Sequence, residues 1–154
     1  MHNGRCAYHS PTYCFASGNH VGQELRLAVA ATIKSGAEAI AFLAPMLPVR
    51  GDRETLIVLY LDAQDRVVDH AAFPGDETGV DIPVRKILVH AILRDARGLL
   101  IAHNHPSGDP TPSEADVVET RKLAVAVRPL GMALHDHLIR AGNEWRSLAA
   151  MDLI

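Results

Sequence analysis

The sequence predicts an α/β fold in which a mixed β-sheet is flanked by helices. Residues 54–62, ETLIVLYLD, form a continuous β-type apolar run, which is typical of a strand buried on both faces. Residues 67–75, VVDHAAFPG, follow a short polar turn and predict the partner strand of a hairpin. Later apolar runs alternate with segments of helical periodicity, and this interleaving indicates helices packed on a sheet.

The chain before the first strand predicts a tail and a helical segment. Residues 1–20 show no periodicity and predict a loose tail. Residues 22–44 predict one or two helices that Gly36 could divide, and the Pro- and Gly-rich residues 44–53 end them. We therefore divide the chain into a tail and helix, residues 1–37, and a domain, residues 38–154.

Some residues of the tail have metal-ligand chemistry. The four that could in principle bind zinc are Cys6, His9, Cys14 and His20. Their spacing matches no standard zinc finger, so a tail without a metal is the preferred interpretation.

The second half of the chain predicts five further elements after the hairpin. A helix with apolar residues at helical spacing lies within residues 81–98, and Gly98 stands where a helix C-terminus favours glycine. The elements that follow are a short buried strand at 99–102, a helix from about Ser113 to Pro129 or Gly131, a strand at 132–142 and a closing segment at 145–149.

Composition and charge indicate a globular domain and disfavour direct nucleic-acid binding. The chain has 154 residues, of which 48% are hydrophobic and 21% charged. Its net charge is −3; residues 1–35 carry three basic side chains and one acidic one, so the remainder carries −5. A DNA-binding surface usually needs a basic excess, which this domain lacks.

Cysteine content and the N-terminus indicate a reducing compartment. There are two cysteines, both near the N-terminus, so no disulfide framework is expected. The first ten residues lack the basic and then apolar pattern of a signal peptide. No apolar run approaches the roughly 18 residues of a membrane span. We expect a cytoplasmic protein without a membrane segment.

The stretch LLIAHNHPSGDPTPSEADVV, residues 99–118, has the pattern of a metal site. Side chains alternate along a strand, so His103 and His105 project to the same side. Gly108 permits a tight turn in the proline-rich loop that follows. Asp116 then adds a carboxylate, and three protein ligands leave zinc one open position for catalysis.

The same stretch admits two other interpretations. Ser113 and Asp116 have the spacing of a helix capping box, which is a purely structural motif. The letters HNH at 103–105 also invite comparison with HNH nucleases. In those enzymes, however, the three residues are spread along a ββα unit, so this comparison is set aside.

The string HNHPSGDPTPSEAD resembles the JAMM (JAB/MPN) metalloprotease signature, and specifically its bacterial RadC-type branch. In that signature His-x-His is followed by seven residues and then Ser-x-x-Asp. The segments ETLIVLYLD, VRKILVHAIL and LHDHLI also resemble elements of this family, so the resemblance covers residues 38–148. It implies a mixed sheet flanked by helices, akin to the cytidine-deaminase fold. A deaminase itself is excluded because His-x-Glu and Pro-Cys-x-x-Cys are absent.

The resemblance also implies roles for five residues and a function. His103, His105 and Asp116 would bind Zn²⁺, Glu54 would be the acid/base, and Ser113 would donate a hydrogen bond to the oxyanion. The implied function is a zinc-dependent metallohydrolase that cleaves a peptide or isopeptide bond, with a peptide or protein conjugate as substrate. The alternative is a non-catalytic zinc-binding accessory protein in DNA repair or maintenance, and either form could be a homo-oligomer.

Two departures from the family pattern bear on these expectations. RadC-type proteins usually carry an upstream region resembling a helix-hairpin-helix, which residues 1–45 do not obviously supply. Where relatives commonly have Pro-Arg-Glu, this chain has Val84, Arg85 and Lys86, so an acidic position has become basic. The first departure weakens a DNA role, and the second changes the rim of the site or a partner surface.

A second His-x-His pair, His135 and His137, lies in the late strand. It could form a second metal site. Alternatively, the intervening Asp136 could hydrogen-bond a ligand imidazole from outside the metal site, as carboxylates commonly do.

Overall fold

The computed structural model describes residues 31–49, 51–75 and 82–154 of the chain. These residues form three α-helices and five strands. The helices are α1 (Gly36–Leu43), α2 (Val84–Leu93) and α3 (Glu114–Val127), and the strands are β1 (Thr55–Leu61), β2 (Val67–Pro74), β3 (Gly98–Asn104), β4 (Ala133–Ala141) and β5 (Glu144–Ser147). The possible ligands of the tail and the predicted helical residues 22–30 lie outside the described residues. No helix in the described part of the chain is both long and apolar enough to cross a membrane.

The five strands form one mixed sheet in the order β2-β1-β3-β4-β5. β3 and β4 are parallel, and the other three pairings are antiparallel. The parallel pair is possible because α3 provides the long crossover that such strands need. Every residue of the central strand β3 is buried, as its apolar sequence requires. The predicted α/β class with a mixed sheet is confirmed.

Each face of the sheet is covered by different helices. One face packs against α2 and α3, and we call it the site face because His103 and His137 contact each other on it. The opposite face packs against α1, and we call it the α1 face. The core of the site face includes Leu56, Val58, Tyr60, Ile87, Ala91, Leu99, Ile101, Leu123 and Val127. The core of the α1 face includes Ala39, Leu43, Leu47, Ile57, Leu59, Leu61, Leu100, Ala102 and Leu138. Alternate residues of β1 and β3 enter the two cores, which is the two-residue period of a strand.

A β-bulge interrupts the pairing of β3 with β4. Leu99 pairs with Leu134, but the next residue, Leu100, pairs with Asp136. His135 is therefore the extra residue on β4, and it shifts the alternation of the side chains that follow it.

The prediction that Gly98 ends the second helix is wrong. Helix α2 ends at Leu93, and Asp95 takes the left-handed backbone conformation after it, with φ of +50°. Aspartate tolerates this region better than most residues, so no glycine is needed there. Gly98 instead begins β3, where a Cβ would collide with the imidazole of His135. Close packing therefore explains this glycine.

Helix α1 is held at both of its ends. Its first residue is Gly36, and the Ser35 hydroxyl caps it by accepting a hydrogen bond from the Glu38 amide at 3.2 Å. After its last turn, the buried Arg140 donates from Nη1 to the carbonyls of Ala44 and Leu47, at 2.6 and 2.7 Å. A guanidinium bonded to carbonyls at and after the C-terminal end of the helix fixes this segment on the sheet.

Candidate metal centre

His103 and His105 meet at the end of the central strand. His103 lies in β3 and is fully buried. His105 directly follows the last residue of β3 and is half-buried. The backbone amide of His105 still bonds to the Arg140 carbonyl, so the strand geometry continues through it. Their Nε2 atoms are 2.8 Å apart. The predicted convergence of the two imidazoles is confirmed.

Glu54 joins the two histidines from the start of the neighbouring strand. One ligand atom each from Glu54, His103 and His105 lies within 4.8 Å of the others, an arrangement that could hold a metal ion. Glu54 directly precedes β1, and Leu56 pairs with His103, so the antiparallel register brings the carboxylate beside the imidazoles. Sequence alone cannot supply this register.

Asn104, the residue between the two histidines, fixes the backbone around Glu54. Its Oδ1 accepts a hydrogen bond from the Thr55 amide at 2.8 Å, and its Nδ2 donates to the Arg53 carbonyl at 3.1 Å. The side-chain amide thus holds the residues on both sides of Glu54. No local sequence pattern singles out Asn104, because its partners are about 50 residues away along the chain.

Asp116 forms a helix cap and also lies beside the two imidazoles of the cluster. Its Oδ2 accepts hydrogen bonds from the Ser113 amide at 2.7 Å and the Ser113 hydroxyl at 2.6 Å, completing a capping box at the start of α3. The same carboxylate places Oδ1 3.3 Å from Nε2 of His103 and Oδ2 3.5 Å from Nε2 of His105. The capping interpretation and the ligand interpretation are therefore compatible, since the cap orients the carboxylate.

The proline-rich loop orients the second imidazole. Nδ1 of His105 lies 2.8 Å from the Asp109 carbonyl, which can only accept a hydrogen bond. The proton is therefore on Nδ1, and in the neutral ring Nε2 carries a lone pair directed at the cluster. Gly108 has φ of +85°, which permits the tight turn predicted for this loop.

The electrostatics of the cluster favour a cation. Burial lowers the pKa of His103 to about 4, so this ring is neutral at physiological pH. Although burial alone would raise the pKa of Asp116, hydrogen bonds from His105 and Ser113 and the nearby His103 hold it well below its usual range. The hydrogen bond to Asp116 raises the pKa of His105, because only the protonated ring, with a hydrogen on both nitrogens, can donate from Nε2 to that carboxylate. Neutral imidazoles and ionised carboxylates are donors that suit a divalent metal.

The expected roles of the second His-x-His pair are wrong. His135 lines a cavity on the α1 face with Leu61 and Leu100, whereas Nε2 of His137 lies 2.7 Å from Nδ1 of His103 on the site face. The bulge at His135 separates the two rings, so they form no second metal site. Asp136 does not reach a ligand imidazole either.

The Asp136 carboxylate instead binds groups at the end of the sheet. Its Oδ2 accepts from the Ser147 hydroxyl at 2.6 Å, and its Oδ1 accepts from the amides of His137 and Ala149, at 2.7 and 3.1 Å. It therefore joins β4 to the segment at the end of β5. The His103 imidazole instead contacts His137, which the sequence pattern does not distinguish from its neighbours.

The comparison with known families agrees with this geometry. Residues 33–153 match a family model described as the RadC-like JAB domain. The chain belongs to the RadC-like JAB domain family. In this family context the mixed sheet and three helices are consistent with the JAB/MPN fold.

Several relatives of this RadC-like JAB domain are named UPF0758 proteins. UPF0758 protein YfjY of Escherichia coli (strain K12) is 35% identical over 104 residues, which are 67% of this chain and 65% of the relative. The UPF0758 protein of Aquifex aeolicus (strain VF5) is 40% identical over 75% of this chain and 50% of the relative. UPF0758 protein YkfG of Escherichia coli (strain K12) is 31% identical over 95% of this chain and 81% of the relative. The chain thus spans about half to two thirds of several relatives, and more of YkfG.

Proposed function

We propose that this RadC-like JAB domain is a zinc-dependent metallohydrolase that cleaves a peptide or isopeptide amide bond. The observation that carries the proposal is the convergence of two imidazole Nε2 atoms with the carboxylates of Glu54 and Asp116. Two imidazoles with a carboxylate are one of the ligand sets that zinc enzymes use for catalytic sites. The chemistry of the cluster therefore fits zinc.

The residues divide into ligands and a proton carrier. His103, His105 and Asp116 would hold the zinc, since Asp116 is preset by its two hydrogen bonds from Ser113. When bound, zinc would supply Lewis-acid chemistry to the amide carbonyl and to water. Glu54, half-buried at the start of β1, is then the remaining carboxylate of the cluster.

Glu54 would act as the general base and then as the general acid. Its carboxylate would take a proton from the attacking water and deliver it to the nitrogen of the leaving amine as the C–N bond breaks. The products are a carboxylic acid and an amine, so the atoms and protons balance. Asn104 would keep the base in place by holding the backbone on both sides of it.

Ser113 keeps its proposed role as an oxyanion donor, with one condition set by the structure. Its hydroxyl hydrogen is donated to Asp116, at 2.6 Å. To stabilise an oxyanion it would have to turn this hydrogen toward the substrate. The Ser113 amide would continue to hold Asp116 in the meantime.

The test measures metal content and hydrolysis in the same preparations. Zinc per chain is determined in the parent and in Asp116→Ala, and a broad panel of peptides and isopeptide conjugates is incubated with the parent and with Glu54→Gln. We expect about one zinc in the parent, loss of zinc in Asp116→Ala, and hydrolysis by the parent that Glu54→Gln reduces by about 10²–10⁴-fold. Exposed Glu144→Gln provides the matched control and should behave as the parent.

Two results would contradict the proposal in different ways. A parent that takes up no zinc would remove the metal site itself. If the parent and Glu54→Gln both bind zinc but hydrolyse the panel only at the same background rate, the accessory alternative is favoured. Salt-dependent binding to DNA at physiological ionic strength would support that alternative further.

The proposed setting is the cytoplasm, where the two cysteines of the chain would remain reduced.

A further inference from the structure

A chain of hydrogen bonds runs behind His103, on the side away from the metal cluster. Nδ1 of His103 lies 2.7 Å from Nε2 of His137, and Nδ1 of His137 lies 2.6 Å from Oγ1 of Thr120. The Thr120 hydroxyl in turn donates to the backbone carbonyl of Asp116 at 2.5 Å. His103, His137 and Thr120 are all buried, at 0%, 1% and 0% exposure, so water does not compete for these bonds.

The end of this chain determines the direction of every proton in it. The Asp116 carbonyl can only accept, so the single hydroxyl hydrogen of Thr120 is donated to it. Thr120 Oγ1 must then accept from Nδ1–H of His137. With its one hydrogen on Nδ1, the neutral ring of His137 carries a lone pair on Nε2. That lone pair accepts Nδ1–H of His103, which leaves the Nε2 lone pair of His103 directed at the cluster.

We propose that His137 and Thr120 are positioning residues that hold His103 in the Nδ1–H tautomer required of a metal ligand. The inference rests on the proposed metal site and extends it beyond the side chains that would touch the metal. The chain of bonds ends on the backbone of Asp116, whose carboxylate lies 3.3 Å from Nε2 of His103. This chain of hydrogen bonds from His103 through His137 and Thr120, called the relay below, therefore joins two proposed ligands. One ligand lies on β3 and the other on α3, and the connection runs through β4.

A structural role alone would not require these residue types. Burying two imidazoles and a hydroxyl costs free energy unless each polar atom is paired, and apolar side chains would fill the same space without that requirement. Here every polar atom of His137 and Thr120 has a partner of the correct kind. The opposite tautomer of His103 would place a hydrogen on Nε2 and block it as a ligand.

The test changes the relay without touching the cluster. Thr120→Val keeps the shape of the side chain but removes its hydroxyl, Thr120→Ser restores the hydroxyl, and His135→Gln is a matched control on the opposite face. The tautomer of His103 is determined from ¹⁵N imidazole shifts in the metal-free proteins, and zinc affinity is measured by chelator competition. Thermal unfolding confirms that each variant is folded.

We expect the Nδ1–H tautomer in the parent, in Thr120→Ser and in His135→Gln. In Thr120→Val, His137 loses its acceptor, so Nε2–H forms of both rings should appear. Zinc affinity should fall about 10–100-fold in Thr120→Val, which is the usual effect of losing an outer partner of a ligand, and should recover in Thr120→Ser. A folded Thr120→Val that retains both the parent tautomer and the parent affinity would overturn the proposal.

The two readouts separate this inference from the proposed function. If the parent shows His103 as Nε2–H in the metal-free protein, the relay is wrong whether or not zinc binds. If the parent shows Nδ1–H but takes up no zinc at all, the metal site fails, and the assignment of His137 and Thr120 as positioning residues for a ligand fails with it.

Discussion

Two His-x-His pairs in this chain have the same spacing and opposite outcomes. His103 and His105 follow the regular alternation of β3, so both imidazoles reach the site face and their Nε2 atoms lie 2.8 Å apart. His135 and His137 lie on β4, where the extra residue of the bulge is His135 itself. One ring lies near Asp65, at 3.7 Å, and the other is buried against His103.

The difference shows that a two-residue spacing brings side chains together only when the strand is regular between them. A bulge adds one residue to one strand and changes which face the next residue occupies. In β4 this shift places His137 against Nδ1 of His103, while the Asp136 carboxylate accepts a hydrogen bond from Ser147 on β5. The same motif thus gives proposed ligands in one strand and a positioning residue in the next.

The largest expected effect is on the stabilisation by zinc, which should depend on the first His-x-His pair and not on His135. Zinc in 100-fold excess over its dissociation constant should stabilise the parent by about 2.7 kcal/mol, which is a rise in Tm of roughly 5–10 °C. His103→Ala should abolish this rise, and His135→Ala should retain it in full, because His135 lies on the opposite face. The measurement is thermal unfolding with and without zinc. An equal loss in both variants would contradict the assignment of the two pairs to different roles.

A smaller effect, on the free energy of unfolding, is expected from Asp136, which lies between His135 and His137. Asp136→Ala removes the acceptor of three hydrogen bonds and should lower the free energy of unfolding by about 2 kcal/mol. Asp136→Asn retains an acceptor and should lose less. Zinc affinity should be unchanged in both, since Asp136 contacts no ligand imidazole. Denaturant titration and chelator competition measure the two quantities, and a 10-fold weaker zinc affinity with little loss of stability would reverse the interpretation.

The smallest expected effect concerns the packing beside the bulge. Gly98→Ala would place a Cβ against the imidazole of His135, which is 42% exposed and can move aside. We expect Gly98→Ala to lower the free energy of unfolding by less than about 1 kcal/mol. This loss should disappear when His135→Ala is added, because the imidazole that the new Cβ would meet is then absent. A double-mutant cycle by denaturant unfolding measures this coupling. If the loss persists in the double variant, the conformation of β3 rather than His135 requires the glycine.

Much of the fold could be predicted from local pattern. The apolar run before and through β1, the Ser113 cap of α3 and the alternation that aligns His103 with His105 are set by neighbours in the sequence. The end of α2 could not be placed, because Asp95 and Gly98 are both acceptable after a helix. Only the packing of His135 against Gly98 distinguishes their roles.

The sequence by itself determined the residue types of the candidate site, its spacing along β3 and α3, and the family to which the chain belongs. The tertiary structure decided which distant groups complete it: Glu54 through the pairing of β1 with β3, Asn104 through its bonds to Arg53 and Thr55, and His137 through the bulge in β4. The physical reason is that periodicity fixes the face of a side chain within one regular strand. Register and bulges depend on the partner strand, and no pattern within a single segment specifies the partner.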